Sequence, residues 1–137
     1  MSYLLDTNVL SELVRPKPDE AVLAWFANVP DESLYISVLT LGEIRKGVEG
    51  VPDAKRKETL RVWLEHTLLE WFGSRVLSVD LNVAETWGRL QADAQRPVPA
   101  IDSLLAATAL HHELRMVTRN AKDFAYAGLE VINPWIQ

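Results

Sequence analysis

Tyr3-Leu4-Leu5-Asp6-Thr7-Asn8 opens the chain with three apolar residues that run directly into a carboxylate. So short a run, closed by turn-forming residues, reads as a strand with Asp6 at its carboxyl end. Leu34-Tyr35-Ile36, Arg75 to Val79, Met116-Val117-Thr118 and Leu129 to Ile132 read the same way. The longer stretches between them are helical. They run from about Val9 to Val14, from Ala21 to Phe26 behind an Asp19 cap, from Ser37 or Thr40 through Val48, from Ala54 to Trp71, from Asn82 to Ala94, and from Ile101 to His112. In the long fourth helix Leu60, Leu64, Thr67, Leu68 and Trp71 share helical spacing. The last helix is nearly all apolar and is expected to be buried. Strands alternating with helical crossovers predict one α/β domain over residues 1–137, with a mostly parallel central sheet of about five strands flanked by helices. Ligands of such sheets lie beyond the carboxyl ends of the strands.

Composition bounds the chemistry. The 137 residues are 48% hydrophobic and 24% charged, which suits a folded globular chain. With no cysteine, disulfides, thiolate metal sites and thiol nucleophiles are excluded. The N-terminus lacks a basic region before Asp6, so no secretory signal is expected, and no apolar run approaches a membrane span. The expectation is a soluble, cytoplasmic protein with no membrane partner.

A net charge of −5 argues by itself against a nucleic-acid partner. A carboxylate-rich metal site would account for part of that excess, because bound cations neutralise it. Positive charge is also locally clustered, at Arg45-Lys46 and at Lys55-Arg56-Lys57 with Arg61. Arg45 and Lys46 are candidate substrate contacts, and the 55–61 cluster reads equally as a solvated helix face.

Four carboxylates deserve weighing together. Singly, Asp6 fits a turn or cap, and Glu43, three residues after Thr40, fits a capping box. Asp102 complements the positive end of the buried helix, and Asp123 could pair with Asn120 at a further helix start. Together, Asp6 and Asp123 follow strand ends on one edge of a parallel sheet. Glu43 can point back over that edge, and a rigid Pro97-Val98-Pro99 segment delivers Asp102. Four acids on one rim raise each other's pKa unless a cation is present. A hard divalent ion with oxygen ligands, Mg2+ or Mn2+, resolves the conflict. Gly42, an unusual helix residue beside Glu43, suggests close approach of a neighbouring element.

These motifs carry a resemblance. Leu5-Asp6-Thr7-Asn8, Glu43 in a helix after the second strand, Asp102 opening a buried Leu/Ala helix, and Thr118-Arg119-Asn120-Ala121-Lys122-Asp123-Phe124 together resemble the PIN-domain nucleases. More narrowly they resemble the VapC and FitB toxins of bacterial toxin–antitoxin pairs, over essentially the whole chain. The resemblance implies that Asp6, Glu43, Asp102 and Asp123 bind one or two Mg2+ ions, with Mn2+ as a substitute. It implies hydrolysis of an RNA phosphodiester, in structured or transfer RNA, by metal-activated water. Thr7, Asn8, Thr118 and Asn120 would orient the ligands or phosphate oxygens. A homodimer and an antitoxin protein are the implied partners, with DNA reached only through the antitoxin.

Two rivals remain in view. A receiver domain wants paired acids at its first strand and a late lysine, and a dehalogenase-type phosphotransferase wants Asp-x-Asp there; Asp6-Thr7-Asn8 and Arg119-Asn120 match neither pattern. The chain could also serve mainly as a binding module, joining an antitoxin in a DNA-binding repressor complex with little free nuclease activity. The three histidines offer no competing metal spacing, and the five tryptophans are read mostly as core.

Overall fold

Five short strands lie side by side in a computed structural model of the chain, which describes residues 1–95 and 97–136. They are β1 (Tyr3–Leu5), β2 (Leu34–Ser37), β3 (Val76–Leu77), β4 (Arg115–Val117) and β5 (Val131–Ile132). Their order is β3-β2-β1-β4-β5, and each neighbouring pair is parallel. The expected parallel α/β sheet is therefore present, with β1 at its centre. Leu4 sits in register with Tyr35 on one side and Met116 on the other.

Alternation along the strands divides the core into two layers, because successive side chains point to opposite faces. Leu4 and Met116 pack with Leu105, Ala106, Ala109 and Phe124. Leu5 and Val117 pack on the other face with Val9, Leu10, Leu34, Ile36, Ile44 and Leu68. A strand buried on both faces has no polar alternation to show, which is why Tyr3-Leu4-Leu5 reads as a plain apolar run.

The helices are α1 (Thr7–Glu12), α2 (Glu20–Ala27), α3 (Val38–Glu49), α4 (Ala54–Val62), α5 (Leu69–Phe72), α6 (Leu81–Asp93) and α7 (Ala100–His111). Side-chain oxygens of Asp6, Asp19, Ser37, Asp53 and Asp80 accept backbone N–H bonds at the starts of α1, α2, α3, α4 and α6. Capping by Asp6 starts α1 at Thr7, earlier than periodicity suggests. Ser37, not Thr40, opens α3; Thr40 lies inside the helix, fully buried, so Thr40 and Glu43 form no capping box.

Between α4 and α5 the residues Trp63–Leu68 form a π-helical segment. Its wider turn shifts the phase of the apolar stripe, and Thr67 ends exposed while Leu64 and Leu68 are buried. Strand β3 is shorter than the expected 75–79, because Arg75 closes a 3-10 turn and donates to the carbonyls of Asp31, Leu34 and Trp71. Nothing lies within 4 Å of a Cβ placed on Gly42, so the close approach expected there is absent. The tryptophans are half-buried, packing at the margins of the core rather than within it. No helix among the described residues is long and apolar enough to cross a membrane.

Helix α7 is buried as expected, with Ser103, Leu105, Ala106, Ala107, Thr108 and Ala109 enclosed. Because α7 leads back to a parallel strand, it runs opposite to β4, and its N-terminus lies at the carboxyl edge of the sheet. Asp102 thus reaches the rim from below, while Asp6 and the segment after β4 reach it from their strand ends.

Candidate active site

Asp6 stands at the centre of that rim. It follows β1, is 7% exposed, and its backbone N–H donates to Val117 O at 2.9 Å. Its carboxylate accepts from Thr7 N (2.8 Å) on one oxygen, and from Thr118 Oγ1 (2.8 Å) and Asn8 Nδ2 (3.5 Å) on the other. Thr118 Oγ1 in turn accepts from Asn120 N at 3.1 Å. Thr7 Oγ1 donates to Glu43 Oε1 at 2.6 Å, which brings the α3 carboxylate to the start of α1. Of the four residues expected to orient ligands, Thr7, Asn8 and Thr118 reach Asp6 or Glu43 with their side chains, and Asn120 meets Thr118 Oγ1 with its backbone N–H.

Burial pushes the Asp6 carboxyl above its ordinary value, and the negative charges of Glu43 and Asp123 push the same way. The bonds from Thr118 and Thr7 oppose that rise. Asp102 is also raised, first by burial and then by Asp6, Asp123 and Glu43. The four acids selected from the sequence therefore share one electrostatic neighbourhood. Glu43 and Asp123 are solvent-exposed, Asp102 half-buried and Asp6 buried. Asp123 lies in a 3-10 turn (Ala121–Phe124), with its N–H on Asn120 O at 2.9 Å.

No three acidic or histidine side chains among the described residues are gathered into a closed metal cage. The rim is instead an open set of hard oxygen donors carrying like charge. That chemistry fits a hard divalent cation that keeps part of its water shell and takes only one or two carboxylates.

The cationic candidates are placed differently. Arg45 is engaged with Glu65 at 2.7 Å and Glu49 at 3.6 Å. Lys46 is exposed. In the 55–61 cluster, Arg61 pairs with Glu58 and Glu65, Lys57 lies 3.8 Å from Glu49, and Arg56 donates to Val14 O. These contacts match a solvated, ion-paired helix face.

Arg119, which residue-level reading left without a place in the site, is tied to it through Asn8. Its N–H donates to Asn8 Oδ1 at 3.3 Å, its carbonyl accepts from Asn133 Nδ2 at 3.2 Å, and its guanidinium lies 5.2 Å from the Trp135 ring centroid. The available signal was its place between Thr118 and Asn120.

The PIN domain family model matches residues 3–128. The chain is 39% identical over 135 residues to "VapC ribonuclease Y4jK" of Sinorhizobium fredii, covering 96% of each. It is 38% identical to "Toxin FitB" of Neisseria gonorrhoeae, covering 96% of this chain and 97% of that protein. The solved "Structure of FitAB bound to IR36 DNA fragment" contains a chain of the same fold. Its TM-score is 0.90 at 37% identity, covering 97% of this chain and 95% of that one.

Proposed function

This chain belongs to the PIN-domain family, and from that premise we propose that it is a Mg2+-dependent endoribonuclease, the toxin of a toxin–antitoxin pair. One observation carries the reading: a buried Asp6 whose carboxyl is raised by burial and by the charges of two neighbouring acids, at the carboxyl edge of the sheet. Such a site is costly for the folded protein on its own and becomes favourable when a cation occupies it.

Asp6, Glu43, Asp102 and Asp123 would hold the divalent ion, with Mn2+ as an alternative. Bound there, it supplies Lewis-acid polarisation of the phosphodiester and a water of lowered pKa. The chain's own residues do the positioning. Thr7 fixes the Glu43 carboxylate, while Thr118 and Asn8 fix Asp6. Thr118 donates its only hydroxyl proton to Asp6 Oδ2, which favours the ionised carboxylate that a metal ion would require. No nucleophilic side chain is required.

The substrate is structured or transfer RNA. Arg45 must leave Glu65 and Glu49 to contact it, whereas Lys46 has no ion pair to break among the described residues. The chain works in the cytoplasm, as a homodimer, with an antitoxin protein as partner. The DNA-bound FitAB assembly supports a second role, as part of a repressor complex that reaches DNA through the antitoxin. A net charge of −5 agrees with leaving that DNA contact to the partner.

The test incubates purified protein with bulk transfer RNA in Mg2+ or EDTA, beside Asp6→Asn purified identically. Cleavage by wild type in Mg2+ alone is the expected outcome. Absence of cleavage across several RNAs by a folded, metal-binding wild type favours the repressor module.

A further inference from the structure

Arg119 is exposed, yet its backbone is clamped from both sides. Asn8 holds its N–H, and the same Asn8 side chain donates to Asp6, so one residue spans the central carboxylate and the arginine. Asn133 holds the Arg119 carbonyl, and its Oδ1 also accepts from Trp135 N at 2.9 Å. Asn133-Pro134-Trp135 is thus a turn built to set an indole beneath the guanidinium.

Six other arginines find acids or carbonyls, while Arg89 is exposed on α6 without an aromatic seat among the described residues. Arg15, Arg45, Arg61 and Arg115 each pair with a carboxylate. Arg56 and Arg75 donate to backbone carbonyls. Among the described residues, no carboxylate lies within ion-pair distance of the Arg119 guanidinium. An aromatic face attracts the cation without consuming its N–H donors, so the planar fork stays available to an incoming acceptor. Asn8 ties the Arg119 backbone to the edge of the acidic rim, and the guanidinium, seated on Trp135, suits an anion that runs along that edge. Phosphate oxygens are the matching acceptors, recognised bidentately.

We infer that Arg119, seated on Trp135 and held by Asn8 and Asn133, grips an RNA backbone phosphate next to the acidic rim and registers the strand for cleavage. The inference rests on the ribonuclease reading and deepens it by assigning a substrate-positioning residue. Stacking fixes the guanidinium before substrate arrives, which lowers the ordering cost of the contact.

The experiment measures binding of fluorescently labelled bulk transfer RNA in EDTA, where cleavage is suppressed, across a salt series. It uses wild type, Arg119→Gln, Arg119→Lys and Trp135→Leu, each checked for folding by thermal melting. Loss of one phosphate contact makes the slope of log affinity against log salt shallower by about 0.7 to 0.9. Arg119→Gln is expected to show that change with about tenfold weaker binding. Arg119→Lys keeps the slope and binds with intermediate affinity, since charge remains and the fork is lost. Trp135→Leu keeps the slope and loses about two- to fivefold, the contribution of the aromatic seat. In Mg2+ the Arg119→Gln defect is expected in KM far more than in kcat. Equal affinity and slope for Arg119→Gln and wild type overturns the Arg119 assignment and leaves the nuclease reading standing. Failure of wild type to bind or cleave any RNA overturns the nuclease reading itself, and this assignment with it.

Discussion

Thr118 Oγ1 donates to Asp6 Oδ2 at 2.8 Å across 112 positions of sequence, tying the end of β4 to the end of β1 inside the core. The hydroxyl also accepts from Asn120 N. Thr118→Val keeps the shape and removes both bonds. The buried Asp6 carboxylate then loses a partner, a cost of about 1–3 kcal/mol in a urea unfolding measurement, while the N–H of the exposed Asn120 turns to water. Since the Thr118 bond holds the Asp6 carboxyl down, its loss moves the acid limb of the pH–activity profile to higher pH. Thr118→Ser restores both properties.

Asp102 supplies a pH test. Its carboxyl is raised above 3.8 by burial and by three acids. Between the unfolded and folded values the native state holds more of the proton, so stability falls as pH rises through that window. Asp102→Asn removes the titration. In metal-free buffer, the stability of the variant relative to wild type therefore grows as pH rises from about 4 through the raised folded value. If Asp102 helps to hold Mg2+ as proposed, adding the ion is expected to raise the melting temperature of wild type by mass action and that of the variant less. A difference that is flat with pH refutes the burial account.

Thr7 and Glu43 meet in a solvent-exposed bond. Thr7→Val is expected to leave stability within about 0.5 kcal/mol, as exposed substitutions do. It lowers the cleavage rate about tenfold, the lower end for losing a partner that orients a metal ligand. Single-turnover kinetics with a melting control separate the two effects, and Thr7→Ser recovers the rate.

Ser103 is a buried hub one residue from Asp102. Its Oγ accepts from Trp87 Nε1 at 2.9 Å and Gln91 Nε2 at 3.0 Å, and its proton is directed to Pro99 O at 2.7 Å. Ser103→Ala leaves two donors of α6 unpaired against α7, and a loss of about 1–3 kcal/mol is expected from denaturant curves. Because α7 carries Asp102, activity falls along with stability.

The strands were legible in the sequence because each depends on neighbours close in the chain, whereas the four acids stood out only as a set, by their order along it. Three apolar residues ending in Asp6, or Met116-Val117 ending in Thr118, declare a buried strand and its edge without further information. Asp102 was legible within that set because α7 is apolar nearly all round, so its polar first turn stands out. The remaining features depend on partners far away in the chain. Nothing around Arg75 announces that its guanidinium will reach carbonyls of residues 31 and 34. The π segment at 63–68 satisfies its backbone in a register that side-chain periodicity does not encode, which misplaced Thr67. Arg119 sits inside a motif singled out for its flanking residues, but its stacking seat lies 16 positions later, at Trp135.

Strand order also governs when this enzyme comes into being. β1 is made well before one of its two flanking partners, β4, which lies at residues 115–117. A nascent chain that has not reached Thr118 and Asp123 has Asp6 without its hydroxyl donor and a rim without its last acid. The rim therefore cannot assemble before residues 118 and 123 have been made. Closing the central strand pair and completing the acidic rim are thus one event, gated by the same late segment.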